Sequence, residues 1–245
     1  MTTCRRTKPR SIHRGFTLVE MLIVVVIIAI LAVVVSAISL RIRESANSAT
    51  RLSSIRQSGI VLMTIAADNN GRHIYFAGGN GNFGRRPYIM VRDYLGNYRS
   101  NDGIAEIMHW DLKKRPTTNN PHWNCRAVNF MNITYPDGTS TTWVDGNTTD
   151  PFGRVGVTKS LASASVARPN SYPLLIDSSL AGGAEIFRIN EGGGDYVGLR
   201  EAEGTKANAF MFDGSARQMD RSDLRQAGFT RAVDTSVSPP EVIDL

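Results

Sequence analysis

The sequence predicts an α+β protein in which one long N-terminal helix, apolar in its first half and amphipathic in its second, packs on a small antiparallel-sheet head. Three observations lead there. Residues Leu18 to Leu40 are apolar or small except for Glu20. Beyond them, apolar and small residues recur at steps of three and four as far as Ala66. From Asn69 onward the chain is rich in Gly, Asn, Asp, Ser and Thr, with short apolar runs between turn residues. A chain of 245 residues accommodates one substantial domain plus such an extended element.

The apolar run of about 23 residues is long enough to cross a bilayer core. Ahead of it stand Arg5, Arg6, Lys8, Arg10 and Arg14, with no acid among the first fifteen residues. Their removal lowers the formal net charge from +6 to +1, so most of the basicity lies beside the apolar run, where Lys and Arg hold an N-terminus in the cytoplasm. The remainder has no charge excess of the kind that binds nucleic acid. A secretory signal would end in a small-residue cleavage site, but Arg41-Ile42-Arg43-Glu44 follows instead, and Ser36-Ala37-Ile38-Ser39 is a poor approach to one. Glu20 is the exception within the run, because a carboxylate in a membrane helix costs roughly 2.5–3.5 kcal/mol. The residues alone leave two readings: Glu20 sits at the helix end and reaches the headgroups, or it is paired and functional.

The segment Gly15-Phe16-Thr17-Leu18-Val19-Glu20-Met21-Leu22, with Arg14 before it and a long aliphatic run after, resembles the processing site of type IV prepilins and type II secretion pseudopilins. The resemblance covers roughly the first forty residues and favours the second reading of Glu20. It implies that a prepilin peptidase cuts between Gly15 and Phe16 and methylates Phe16. It also implies that Glu20, as the fifth mature residue, is the assembly counter-ion for the terminal ammonium of a neighbouring subunit. Such a role is physically sensible: a helix N-terminus carries unbonded N–H groups and a partial positive charge beside the free amine, and lipid offers neither a partner.

Ile42, Ala46, Ala49, Leu52, Ile55, Gly59, Leu62 and Ala66 form one helical face, with Arg41, Arg43, Glu44, Arg51 and Arg56 mostly off it. Asp68-Asn69-Asn70-Gly71 supplies the helix stop. The expected organisation is therefore a cleaved basic leader at 1–15, a transmembrane or filament-core helix at 16–40, its amphipathic continuation at 41–70, a globular head at 71–235 and a flexible tail at 236–245 around Ser236 to Pro240.

Within the head, short helices are expected at Pro87 to Tyr98 and near Gly103 to Lys113. Strands are expected at Ala127–Tyr135, Thr141–Val144, Leu174–Asp177, Ile186–Ile189, Tyr196–Leu199 and Ala207–Phe212. The alternation from Ala207 to Phe212 ends at Asp213-Gly214, a hairpin turn signal. This stretch resembles the C-terminal signature of a group of pilin-like proteins from planctomycetes, verrucomicrobia and related bacteria, in which a His precedes the Asp-Gly pair by ten positions. Glu203 stands there instead, so no role of that His carries over. Pro169 to Ser178 resembles a strand of the same group.

Other motifs carry less. Asp150-Pro151-Phe152-Gly153 is similar to a loop of major pseudopilins, whose heads bind calcium, yet calcium needs six to eight oxygens and only scattered acids such as Asp213, Asp220 and Asp223 present themselves. No cofactor is expected, with calcium the one candidate. Gly79-Asn80-Gly81-Asn82-Phe83-Gly84 satisfies a G-x-G-x-x-G pattern without the βαβ context that dinucleotide binding requires, and is expected to be a loop. His13, His73, His109 and His122 belong to no catalytic or zinc pattern, so no catalytic residue is assigned and an enzyme is not expected. Asn132-Ile133-Thr134 and Asn147-Thr148-Thr149 match glycosylation sequons that arise readily by chance. Leader removal would leave Cys125 as the one thiol, which excludes an intrachain disulfide.

The reading is a structural subunit that sits in the inner membrane by a single pass, N-terminus cytoplasmic and head outside, and then enters a filament. Its partners would be other pilin-like subunits, the prepilin peptidase and an inner-membrane assembly platform. The filament could serve secretion, adhesion, motility or DNA uptake. The alternative is an extracytoplasmic binding protein or enzyme tethered by an uncleaved signal-anchor.

Overall fold

The computed structural model describes residues 17–76, 87–96, 108, 125–149, 155–183 and 188–245. The chain divides into two compact units, residues 1–47 and 48–245. Helix α1 (Leu18–Asp68) runs for 51 residues, about 75 Å at the α-helical rise. Its stretch in the first unit is solvent-exposed wherever the side chains are described. It ends in two left-handed residues, Asn70 and Gly71, with the Gly71 N–H donating to the Ala66 carbonyl at 2.8 Å and the Asn69 N–H to the same carbonyl at 3.0 Å.

The second unit contains β1 (Arg72–Phe76), α2 (Pro87–Leu95), β2 (Ala127–Asn129), β3 (Ile133–Thr134), β4 (Ser140–Thr141), β5 (Val144–Thr149) and β6 (Val155–Ala162). There follow β7 (Pro173–Ile176), β8 (Ser178–Leu180), β9 (Arg188–Ile189), β10 (Asp195–Leu199), β11 (Lys206–Met211) and β12 (Ala216–Asp220), then α3 (Arg221–Gln226), β13 (Arg231–Asp234) and β14 (Glu241–Asp244). They form a five-stranded sheet ordered β12-β11-β7-β2-β9, a four-stranded sheet ordered β14-β13-β10-β8, a three-stranded sheet ordered β1-β6-β5 and the β3-β4 pair. All pairings are antiparallel except β2 with β9 and β10 with β13.

Several expectations are corrected. The segment Ala127–Tyr135 is two strands, because the Asn129 side chain accepts from the Met131 N–H at 3.1 Å and turns the chain between them. Thr141–Val144 likewise divides between β4 and β5, with the intervening Trp143 N–H donating to Asn132 Oδ1 at 2.8 Å. Strands β1, β6, β8, β13 and β14 were not expected, while β12 is the second strand of the hairpin expected at Asp213-Gly214. The segment 236–245 is no loose tail: Glu241–Asp244 pairs along the whole of β13, and Ile243 packs on the apolar cluster that contains Val197, Met219 and Ala232. Of the helix expected near Gly103 to Lys113, only Met108 lies among the described residues.

From Ser48 on, α1 packs on the sheets, with Ile55, Leu62, Ile65 and Ala66 buried. The expected stripe is thus buried from Leu52, which is partly covered, to Ala66, while Ala49 is exposed. Gly59 sits against the Phe210 ring of β11, where a Cβ would fall 2.1 Å from a ring carbon. Only glycine allows this approach of helix to strand.

Beside that apolar seam lies a buried polar chain. Arg126, fully buried, donates from Nε to Asp177 Oδ1 at 3.1 Å, from Nη1 to Ser54 Oγ at 2.9 Å and from Nη2 to the Arg51 carbonyl at 3.1 Å. Asn208 donates from its amide nitrogen to both Asp177 Oδ2 and Glu201 Oε1, each at 2.8 Å, and Glu201 binds Arg51 through both carboxylate oxygens. Two arginines and two carboxylates are thereby neutralised where helix meets sheet. Burial pushes the Asp177 carboxyl up, against the opposing pull of Arg126. Burial acts on Glu201 in the same sense, but the hydrogen bonds from Arg51 and Asn208 outweigh it and hold that carboxyl below its ordinary range.

Glu201 is held by a turn of three left-handed residues, Ala202, Glu203 and Gly204, at φ values of 48°, 59° and 81°. Two of the three carry a Cβ, at a cost of roughly 1–2 kcal/mol each.

The polar chain gives a mutational test. Asp177→Asn leaves Arg126 buried without its counter-charge and should destabilise the protein by about 3–5 kcal/mol in denaturant unfolding. Adding Arg126→Met should recover most of the loss; two losses that simply add would mean the pair is not the coupled unit described.

Candidate functional site: the start of the N-terminal helix

Thr17-Leu18-Val19-Glu20 closes a reciprocal cap at the start of α1. The Thr17 N–H and hydroxyl both donate to Glu20 Oε2 at 2.8 Å, and the Glu20 N–H donates back to Thr17 Oγ1 at 3.2 Å. This is the Thr-x-x-Glu capping box, in which side chains satisfy backbone groups that have no intrahelical partner. It was legible in the sequence as that spacing and went unread beside the charge of Glu20. The helix accordingly begins at Leu18, two residues after Phe16. Gly15 and Phe16 themselves lie outside the described residues.

The turns that follow are uniformly apolar. Leu18–Ser36 is one helix segment of 19 residues long and apolar enough to cross a membrane, and its described side chains are exposed. Its one internal polar side chain after Glu20, Ser36, donates to the Ala32 carbonyl at 2.7 Å and so presents no free hydroxyl proton.

Against this geometry, the comparisons with known proteins give one result. A family model described as the prokaryotic N-terminal methylation motif matches residues 10–36. The match supports a type IV pilin- or pseudopilin-like protein. Its span contains the basic residues Arg10 and Arg14, the Gly15-Phe16 pair, the capping box and the whole membrane-length segment. No curated protein and no solved structure gives a match. The pilin-like motif and the apolar helix together are those of a protein anchored in the membrane by a single N-terminal pass.

Other sequence-selected residues fall elsewhere. Asp213 and Gly214 occupy the turn between β11 and β12, with Asp213 Oδ1 accepting from the Ser215 N–H at 2.8 Å and Gly214 at φ 85°. Asp220 and Asp223 cap α3 reciprocally. All three acids are thus engaged by local backbone groups, and the described residues bring no three His, Cys, Asp or Glu side chains together as a metal site. The segments Gly79–Gly84 and Asp150–Gly153, together with His13, His109 and His122, lie outside the described residues. Cys125 is fully buried.

His73 is buried on β1 between the Tyr75 hydroxyl and Ser163 Oγ, each at 3.2 Å, with its ring edge-on to Phe212. Burial lowers its pKa to about 4, so it is neutral in the folded state near pH 7. The unfolded chain binds a proton at this residue below about pH 6.5 and the folded protein only below about 4. Stability at His73 is therefore present at neutral pH and is lost as pH falls through that window, on the order of 3 kcal/mol in all. Replacing His73 with Gln should flatten the unfolding free energy between pH 6.5 and 4, measured by urea titration at several pH values. An unchanged slope would assign the acid sensitivity to other groups.

Proposed function

We propose that the chain is a structural subunit of a pilin-like filament, delivered to the inner membrane with its head outside and assembled through the apolar part of α1. In this reading the leader 1–15 is removed between Gly15 and Phe16, Phe16 is methylated, and Glu20 neutralises the new ammonium of a neighbouring subunit. Residues 16–40 form the filament core, 41–70 carry the head, and the protein acts without catalysis. The observation that carries the reading is the coincidence of the methylation motif with a membrane-length helix segment whose described side chains are all exposed. An uncovered apolar surface of this size requires lipid or other helices. The cap supports the role of Glu20: both bonds from Thr17 fall on Oε2, so Oε1 is the oxygen available to an ammonium from another subunit. The Asp213-Gly214 hairpin turn supports placing the chain with the planctomycete and verrucomicrobial pilin-like group, though with Glu203 where that group has His.

Intact-mass analysis of protein from native membranes should give a chain that begins at methylated Phe16. Gly15→Leu should accumulate the full-length form, because a bulky side chain at the cut excludes the peptidase. Retention of Met1 to Gly15 in cells with an active prepilin peptidase would instead favour the uncleaved signal-anchor.

Glu20→Gln should be inserted and cleaved normally yet remain dispersed in the membrane, as read by shearing, fractionation and crosslinking. The amide keeps the shape and can still accept from Thr17, but it cannot neutralise a charge, and an unpaired charge in a low-dielectric bundle costs several kcal/mol at each subunit contact, of order 3–5. Filament yield equal to that of the unmodified protein would remove the counter-ion role.

A further inference from the structure

The head contains an open cleft of about 280 Å³ between β6, the β2–β3 connection and the turn after β9. Phe130 and Met131 supply its apolar lining. The polar lining comes from Asn132, Lys159, Arg188, Asn190 and Glu191, and these divide sharply by what is already bonded. Glu191 is the one acid, and its carboxylate is occupied: it accepts from the Thr230 N–H and hydroxyl and from the Arg231 N–H. Asn132 accepts from the Trp143 N–H through Oδ1, which fixes the amide so that Nδ2, a pure donor, has no partner among the described residues. The Asn190 side chain likewise has none among them. Lys159 donates to Asp145 at 2.7 Å, but Asp145 is 72% exposed, and an ammonium has two further protons to give. Arg188 adds a second cation, its Nε held by Asp195.

We propose that this cleft is a binding site for a small oxyanion-bearing ligand, its carboxylate or phosphate oxygens received by Lys159, Asn132 and Asn190 with Arg188 supplying further positive charge. The reasoning is complementarity. Donors reach the cleft from three separate segments, the one acid of the described lining already accepts from two backbone N–H groups and a hydroxyl, and the apolar part would face a ring or short carbon chain. The volume suits a ligand of about one ring, just under the usual range for small-molecule sites. This inference stands apart from the filament reading, since it concerns the head alone.

The test uses the full chain in detergent micelles, with inorganic phosphate and glucuronate as probes, glucose as the neutral control and ionic strength held constant with chloride. Isothermal titration calorimetry should show saturable binding of phosphate, glucuronate or both, and none of glucose. Phosphate alone would specify a phosphoryl ligand, and glucuronate alone a carboxylated one. Asn132→Asp keeps the oxygen that accepts from Trp143 and replaces the free donor with a negative charge, so it should weaken binding at least tenfold. Asp145→Asn frees Lys159 and should tighten it several-fold. Thermal melts of both variants verify that the fold is retained; should Asn132→Asp unfold, Lys159→Gln takes its place with an expected loss of fivefold or more. Absence of saturable binding by either anion, or equal affinity in the folded Asn132→Asp or Lys159→Gln protein, overturns the proposal.

Discussion

An α-helix closes its interior backbone hydrogen bonds within itself, so one helix can pass through surroundings that would exclude any other single strand of chain. Everything else in this protein follows from how the side chains of α1 use that freedom. From Met21 to Val35 they are apolar around the whole circumference, and from Ser48 to Asp68 one face is buried and the other mostly polar. The first turn needs side-chain help, and Thr17 and Glu20 give it to each other. A residue that sequence reasoning treats as an isolated charge is thus already half satisfied before any partner arrives.

Attachment of the second half of α1 to the sheets combines two kinds of contact. The Gly59 approach to Phe210 is shape alone and fixes how near the helix lies. The chain Arg51, Glu201, Asn208, Asp177, Arg126 is directional and fixes its register, because its donors and acceptors meet at hydrogen-bond distance and a slip of one residue would strand buried charge. The left-handed turn at Ala202 and Glu203 belongs to the same arrangement, since it holds Glu201 toward Arg51 at a local backbone cost.

Much of α1 was readable from the sequence, because hydropathy and a 3.6-residue period are local properties. Its stop was readable for the same reason: Asn70 and Gly71 adopt the left-handed conformation their chemistry favours. The head was less legible. Residues 127–135 looked like one apolar strand, and only the side-chain bond from Asn129 to the Met131 amide reveals the turn that divides it. β13 lacks clean alternation and takes its strand character from β10, which lies well before it in sequence, while β14 follows two prolines and pairs with β13. Arg51 reads from the sequence as a residue off the apolar stripe, whereas its partner Glu201 lies 150 positions on and no local pattern could have paired them. At the candidate site the motif and the apolar span were legible, while the donors facing the cleft were not, since they come from three segments brought together by sheet topology.

The five-stranded sheet has an order of assembly written into it. Its inner strand β2 pairs with β7 and β9, β7 in turn with β11 and β11 with β12, so the strands made first wait for ones that are synthesised later. A chain made from its N-terminus forms α1 early but cannot complete this sheet until Asp220 has been made. The sheet of such a head stays open through most of synthesis and closes only near its end.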